Sequence, residues 1–213
     1  MWKSVGATAF FLNVSLAFAQ PIDVVVDRSA DDVEIYFRLP ASEMEQIFGL
    51  VPDTVLDLDG MVDFGALQMD SVTPGTEIFQ KTRAQSSAGD VAFETISFMV
   101  HPTDTALPFM TPWDAMVTTT FCSVDPSAPP QGLGLMTTYV GYFADQVPHS
   151  GAITLDFPWV GRDAQVVRVT EFRDKELWRS YDATISENGE LSLYDAEMTK
   201  SKRPFLFSWL RTQ

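Results

Sequence analysis

Three aspartates grouped around a glycine are the residues of this sequence best suited to chemistry. Asp57, Asp59 and Asp63 surround Gly60. Carboxylate oxygens are preferred Ca²⁺ ligands, and glycine permits the sharp turn that brings them together. The segment is not an EF-hand, because with Gly60 at the glycine position the first and last ligand positions carry apolar residues. The three aspartates therefore predict a different kind of Ca²⁺ loop, and no other cofactor is expected.

The same segment resembles motif one of the haloacid-dehalogenase-type phosphatases. The resemblance covers nine residues, Val-Leu-Asp-Leu-Asp-Gly-Met-Val-Asp at 55–63. It implies that Asp57 attacks phosphorus and that Asp59 acts as acid and base, with Mg²⁺ bound beside them. It also implies an alternating β/α sheet, a downstream lysine and a later acidic pair. Met61 departs from the pattern, since the family usually has threonine there.

A third interpretation of the segment needs no ligand. Leu56, Leu58 and Val62 alternate with the aspartates, so that an extended chain would place the apolar residues on one face and the acids on the other. This interpretation predicts an amphipathic strand.

The sequence contains few cysteine and histidine residues that could act in nucleophilic catalysis. Cys122 is the single cysteine, and His101 and His149 are the two histidines. The strongest arrangement available is Cys122 activated by His149. The alternative is that Cys122 is a buried residue of a strand, because 116–122 is rich in β-branched residues. A bridge between two chains through Cys122 also stays open.

Aromatic residues near the C-terminus are the candidates for ligand binding. Phe205, Phe207 and Trp209 fall on one face of an extended segment, which basic residues flank. An exposed aromatic face would bind a partner or a glycan, whereas a buried one would make this a final core strand.

The first nineteen residues predict export. Lys3 precedes an apolar run that closes on Ala17-Phe18-Ala19, the pattern of a signal peptide cleaved after Ala19. The run is too short to span a bilayer, and no later run is long enough. We therefore expect a periplasmic or secreted bacterial protein with no membrane span.

Charge is distributed unevenly along the chain. Residues 20–161 carry 20 acidic and four basic side chains, whereas 162–213 carry nine of each. An acidic surface repels phosphate backbones, so nucleic acid is not an expected partner.

Hydrophobic periodicity predicts a mainly β fold. Alternating residues predict strands around 33–39, 96–100 and 153–157. A hairpin is predicted at 183–193, with a three-residue loop that pairs Ile185 with Leu191 and puts Gly189 at positive φ. One short helix is predicted at 43–48, with a capping box from Ser42 and an end at Gly49.

These elements predict an antiparallel two-layer sandwich, or a barrel-like sheet, with one short helix. It forms a single domain over 20–213, with a proline-rich loop at 125–134. In the absence of other catalytic motifs, we expect a non-catalytic binding or scaffold module of the cell envelope, with a protein or small ligand as partner. The alternatives are an envelope hydrolase that uses Asp57 and Asp59 or Cys122 and His149, and a subunit of an exported assembly.

Overall fold

The protein is mainly β, as expected. The computed structural model describes residues 21–193, apart from 31, 106, 122–123, 126, 146, 148–150 and 160–162. Its strands are β1 (Ile22–Arg28), β2 (Asp32–Pro40), β3 (Met61–Val62), β4 (Arg83–Ser86), β5 (Gly89–Asp90), β6 (Glu94–Pro102), β7 (Gln131–Gly132), β8 (Met136–Asp145), β9 (Ile153–Asp156), β10 (Gln165–Arg173), β11 (Glu176–Ile185) and β12 (Glu190–Leu193). The expected signal peptide lies outside the described residues.

Ten of these strands form one curled sheet, a half-barrel, which is nearer to the barrel-like alternative than to the two-layer sandwich. Their order is β5-β4-β9-β12-β11-β10-β1-β2-β8-β6. All neighbours are antiparallel except β1 and β10, which run parallel. Strand twist accumulates over so many strands, and the curled sheet can then enclose apolar side chains on its concave face without a second sheet.

The expectation of one short helix is wrong. The described residues contain α1 (Met44–Phe48), α2 (Phe64–Met69), α3 (Val72–Phe79) and α4 (Pro112–Thr120), with 3-10 helices at Ala41–Glu43, Asp53–Val55 and Leu133–Leu135. Only α1 was anticipated. It ends at Gly49, which adopts the expected left-handed conformation, but the Ser42 capping box does not form.

The main core fills the concave face. Val24 and Val26 of β1 and Phe37 of β2 contribute to it, and the helices α1 to α3 close it from the other side. Phe48 of α1 meets Phe157 edge to face, with the ring centroids 5.9 Å apart, and Phe37 meets the same ring at 5.7 Å. These contacts give the helices the role that a second sheet would have in a sandwich.

A smaller core lies on the outer face of the sheet. It contains Val25 of β1, Tyr36 of β2, Tyr139 of β8, and Phe109 and Ala115 from the region of α4. All seven residues of β1 are therefore buried, because α4 covers the face that the main core does not.

The predicted hairpin near the C-terminal end of the sheet is confirmed. Ile185 pairs with Leu191, and Ser186 N donates to Glu190 O over 2.9 Å. Gly189 has a φ of +85°, and a Cβ there would lie 2.5 Å from Phe157 O. Glycine is thus required at this position by both its conformation and its surroundings.

A buried ionic network joins the end of β1 to three other parts of the sheet. Arg28 and Glu171 are 2% and 1% exposed, and Arg28 Nε donates to Glu171 Oε1 over 3.0 Å. Arg28 also donates to the carbonyls of Gly151 and Leu193, while Arg179 Nε donates to Glu171 Oε2 over 2.7 Å. Burial lowers the pKa of Arg28, and the nearby Glu171 carboxylate opposes that shift.

No helix in the described part of the chain combines the length and apolar character needed to cross a membrane.

Replacing Glu171 with Gln tests the importance of the network. We expect Glu171→Gln to lower the free energy of unfolding by about 3–5 kcal/mol, because two guanidinium groups then face each other without a buried counter-charge. Urea denaturation measures this loss. Glu176→Gln, at an exposed position of β11, is the control and should change stability by less than about 0.5 kcal/mol. Equal effects for the two variants would show that the network adds no net stability.

Candidate functional site

The start of α4 is fixed by a capping box. Thr111 Oγ1 accepts a hydrogen bond from Asp114 N, and the Asp114 carboxylate accepts one from Thr111 N, each over 3.1 Å. Pro112 occupies the first turn, where a backbone N–H would lack a partner within the helix. These interactions place the helix at a defined position on the outer face of the sheet.

The expectation that 116–122 forms a strand is wrong, because 116–120 belong to α4. Two of the β-branched residues that suggested a strand, Thr118 and Thr119, are buried against the sheet instead. Thr118 Oγ1 donates to Pro108 O over 3.1 Å, and Thr119 Oγ1 donates to Ala115 O over 2.9 Å. Their hydroxyl groups are therefore buried with hydrogen bonds, which removes the main cost of placing threonine in a helix interface.

The opposite side of α4 is apolar and exposed. Met110, Trp113 and Phe121 are 71%, 70% and 64% exposed. With Leu107 and Val117 they form a surface that we call the α4 surface. Residues 113, 117 and 121 are four positions apart, which is the spacing of one helix face, and Met110 lies in the chain just before the N-cap Thr111.

Two apolar depressions lie on either side of Trp113. The first has a volume of about 180 Å³ and is lined by Leu107, Val117 and Phe121. The second has a volume of about 240 Å³ and lies between Met116 and Lys175. Both are below the roughly 300 Å³ at which pockets for small molecules begin. Each therefore suits a side chain better than a whole metabolite.

A fixed positive charge borders the second depression. Lys175 lies in the β10–β11 turn, where it and Asp174 have φ values of 67° and 50°. Its Nζ is 2.7 Å from Asp27 Oδ2 and 3.2 Å from Glu34 Oε2. Desolvation alone would lower the pKa of Lys175, but hydrogen bonds and charge contacts with Asp27 and Glu34 raise it. The ammonium group therefore stays charged and in place.

A polar depression of about 240 Å³ continues beyond Leu107. Arg38 Nε donates to Asp23 Oδ2 over 3.0 Å there, and the Arg38 guanidinium lies 5.2 Å from the centroid of Phe109. Burial raises the pKa of Tyr139, which lines the same depression. The α4 surface thus has an apolar centre and a polar border.

His101 is buried beneath α4. Its Nε2 donates to Thr118 O over 3.0 Å, and its ring meets Tyr139 edge to face at 5.2 Å. Burial lowers the pKa of His101, and the bond to Thr118 O opposes this. The imidazole therefore holds α4 to β6 and is closed off from solvent, which is a poor position for a general base.

Residues 57–60 of the aspartate segment form a turn that leads into the short strand β3, so the expectation of one amphipathic strand through the segment is wrong. Asp57 Oδ1 accepts hydrogen bonds from Asp59 N and Met61 N, each over 2.9 Å, and Leu58 is fully exposed. Asp63 Oδ1 accepts from Ala66 N over 2.9 Å and caps α2. Two of the three carboxylates are thus bound to backbone N–H groups.

Within 21–193, excluding the gaps given above, no three residues among His, Cys, Asp and Glu are grouped to hold a metal ion. The alternating β/α sheet implied by the phosphatase resemblance is also not the fold of those residues. The Ca²⁺ loop stays a prediction.

Cys122, His149, Phe205, Phe207 and Trp209 lie outside the described residues. The pairing of Cys122 with His149 and the aromatic candidates therefore stay predictions.

Sequence reasoning missed Trp113, the central residue of the α4 surface. The signal was available in Thr111-Pro112-Trp113-Asp114, which has capping-box spacing with proline in the first turn. The β-branched residues that follow have high strand propensity, and they favoured the prediction of a strand over that of a helix.

The chain matches no known protein family, and no curated protein is similar to it in sequence.

The burial of His101 predicts a loss of stability in mild acid. Since the folded pKa lies below the ordinary value of 6.5, the unfolded chain binds the proton more readily. The stability from neutral His101 is complete above pH 6.5 and falls as the pH drops below it, by at most about 1.4 kcal/mol per pH unit. Urea denaturation between pH 7.5 and 5.5 measures this.

His101→Gln should remove most of that pH dependence. The same slope in wild type and His101→Gln would contradict this assignment.

Calcium binding can be tested by melting the protein with millimolar Ca²⁺ or with chelator. If the Ca²⁺ loop forms, Ca²⁺ raises Tm, because a ligand that binds the folded state stabilises it, and Asp59→Asn abolishes the rise. An unchanged Tm would exclude the loop.

Proposed function

We propose that this chain is an exported, non-catalytic binding module of the bacterial cell envelope, which binds its partner through the α4 surface. The module comprises 20–213 as one domain, and 1–19 are removed as a signal peptide.

The exposure of Met110, Trp113 and Phe121 carries this proposal. Burying apolar area is favourable by about 25 cal/mol per Å². Three large neighbouring side chains left in water on a helix that is otherwise well anchored are typical of an interaction surface. Tryptophan is also among the residues that contribute most to binding at such surfaces.

The shape of the surface favours a polypeptide partner. Its two apolar depressions share Trp113 as a wall, and each accepts about one side chain. An extended peptide can place alternate side chains into neighbouring depressions while its polar atoms remain in water. A small ligand would instead need one deeper cavity that covers most of its surface.

The charged groups at the surface support binding over catalysis. Glu34 and Lys175 form an ion pair, and Asp114 belongs to the capping box of α4. Each of these side chains is held by a structural contact. None of these three is paired with a nucleophile in the described part of the chain.

Peptide binding to Trp113→Ser tests the proposal. The probes are labelled synthetic peptides in which phenylalanine, tryptophan or leucine alternates with polar residues, and matched peptides with serine in the apolar positions. We expect the apolar peptides alone to bind wild type, and Trp113→Ser to weaken binding by at least about tenfold, as removal of a central anchor does. Fluorescence anisotropy measures the Kd.

Leu58→Ser is the matched control, because Leu58 is also an exposed apolar residue but lies in the turn before β3. It should leave binding unchanged. The proposal fails if no apolar peptide binds, or if Trp113→Ser and Leu58→Ser have the same affinity as wild type.

A further inference from the structure

We propose that the segment 203–211 of the same chain occupies the α4 surface, as a resident ligand that an outside partner must displace. The inference rests on the proposed function of the α4 surface as a site for extended apolar peptides.

The sequence of the segment has the composition that this surface requires. Phe205, Phe207 and Trp209 alternate with other residues. Alternate side chains of an extended chain point to the same side, about 6.6 Å apart. Both depressions are lined by Trp113, and we assign one neighbouring aromatic side chain of the segment to each of them.

The chain leaves the described sheet close to this surface. Leu193 O lies 3.4 Å from Arg28 Nη2, at the end of β1. The preceding residue, Asp27, is in contact with Lys175, which borders the second depression. The exit point and the α4 surface are thus at the same end of β1, on opposite faces of the sheet.

The length of the connecting chain is sufficient to pass around this end. Eleven residues, 194–204, separate Leu193 from Phe205. Fully extended, they reach about 36 Å. Packed layers of a protein lie about 10 Å apart, so this reach exceeds the distance from one face of the sheet to the other.

The charges are complementary. Lys200, Lys202 and Arg203 directly precede the aromatic residues. Asp114 borders the first depression, the Glu34–Lys175 ion pair borders the second, and 20–161 are strongly acidic as a whole. Attraction between the basic lead-in and the acidic body favours docking and depends on salt.

Attachment to the same chain gives the segment an effective concentration of about millimolar. A partner must therefore bind the surface well enough to compete with it. The segment also defines the chemistry of a competing partner, which is a basic residue or two followed by alternating aromatic side chains.

Limited trypsin digestion of the full mature chain tests the docking. The protease cleaves after Lys202, next to the segment, and after Arg211, within it, only when this part of the chain is accessible, and mass spectrometry follows the loss of the C-terminal fragments. We expect cleavage at these sites to be at least about tenfold faster in Trp113→Ser than in wild type, because a docked segment must be released first. Leu58→Ser should be cleaved at the wild-type rate.

A second variant changes the other partner of the contact. Phe207→Ser should accelerate cleavage as Trp113→Ser does, without altering the body of the protein. Protection in the wild type should also be independent of protein concentration over about a hundredfold range, as an interaction within one chain requires. Protection that is lost on dilution would show docking onto a second copy and would overturn the inference.

Equal cleavage rates in wild type, Trp113→Ser and Phe207→Ser would also overturn it. The peptide assay then decides separately on the proposed function. If apolar peptides still bind in a manner that depends on Trp113, the surface is a binding site without a resident ligand. If they do not, both the proposed function and the inference fail.

Discussion

The buried guanidinium group of Arg28 is the constraint on which much of this structure depends. A charge so far from water is stable only with a counter-charge and with hydrogen bonds for its remaining donors. Glu171 supplies the first, and the carbonyls of Gly151 and Leu193 supply the second. Because these groups belong to separate strands or loops, satisfying one side chain fixes how β1, β10 and the ends of β9 and β12 come together. Arg179 then balances the second oxygen of the same carboxylate.

The double-sided burial of β1 connects this scaffold to the proposed binding surface. The main core covers the concave face of β1, and α4 covers its outer face. Its contacts with the sheet use the small and hydrogen-bonded residues Ala115, Thr118 and Thr119. The larger apolar residues, such as Trp113, face water. One side of α4 thus packs on the sheet, and the other side is exposed.

Some of this architecture could be predicted from the sequence, and the limits have physical causes. The alternation in β2 and the turn at Gly189 are local properties, and both were predicted correctly. Alternation shows that one face of a strand is buried, but not what buries it. A single curled sheet with helices therefore gives the same signal as a two-layer sandwich. The parallel pairing of β1 with β10 leaves no local trace at all.

At the candidate sites, strand propensity and hydrophobic alternation indicated strands where the structure has a helix and a turn. Val117 and the threonines after it have high strand propensity, yet the capping box at Thr111 and packing onto the sheet make them helical. In the aspartate segment, Gly60 has a φ of +74°, and the Asp57 carboxylate holds a turn where alternation indicated a strand. In both segments, hydrogen bonds between side chains and the backbone stabilise the observed conformation. Hydrophobic periodicity carries no information about such bonds.

The pairing of β1 with β10 also governs the order of folding. Ile22 lies beside Val167, so the central strand pairs with a partner some 145 residues away along the chain. Closing so long a loop is entropically costly and slow compared with forming a local hairpin. Until then, the hairpin of β1 and β2 presents an unpaired edge, which can associate with the wrong strand. The chain is therefore most prone to aggregation before β10 has paired with β1.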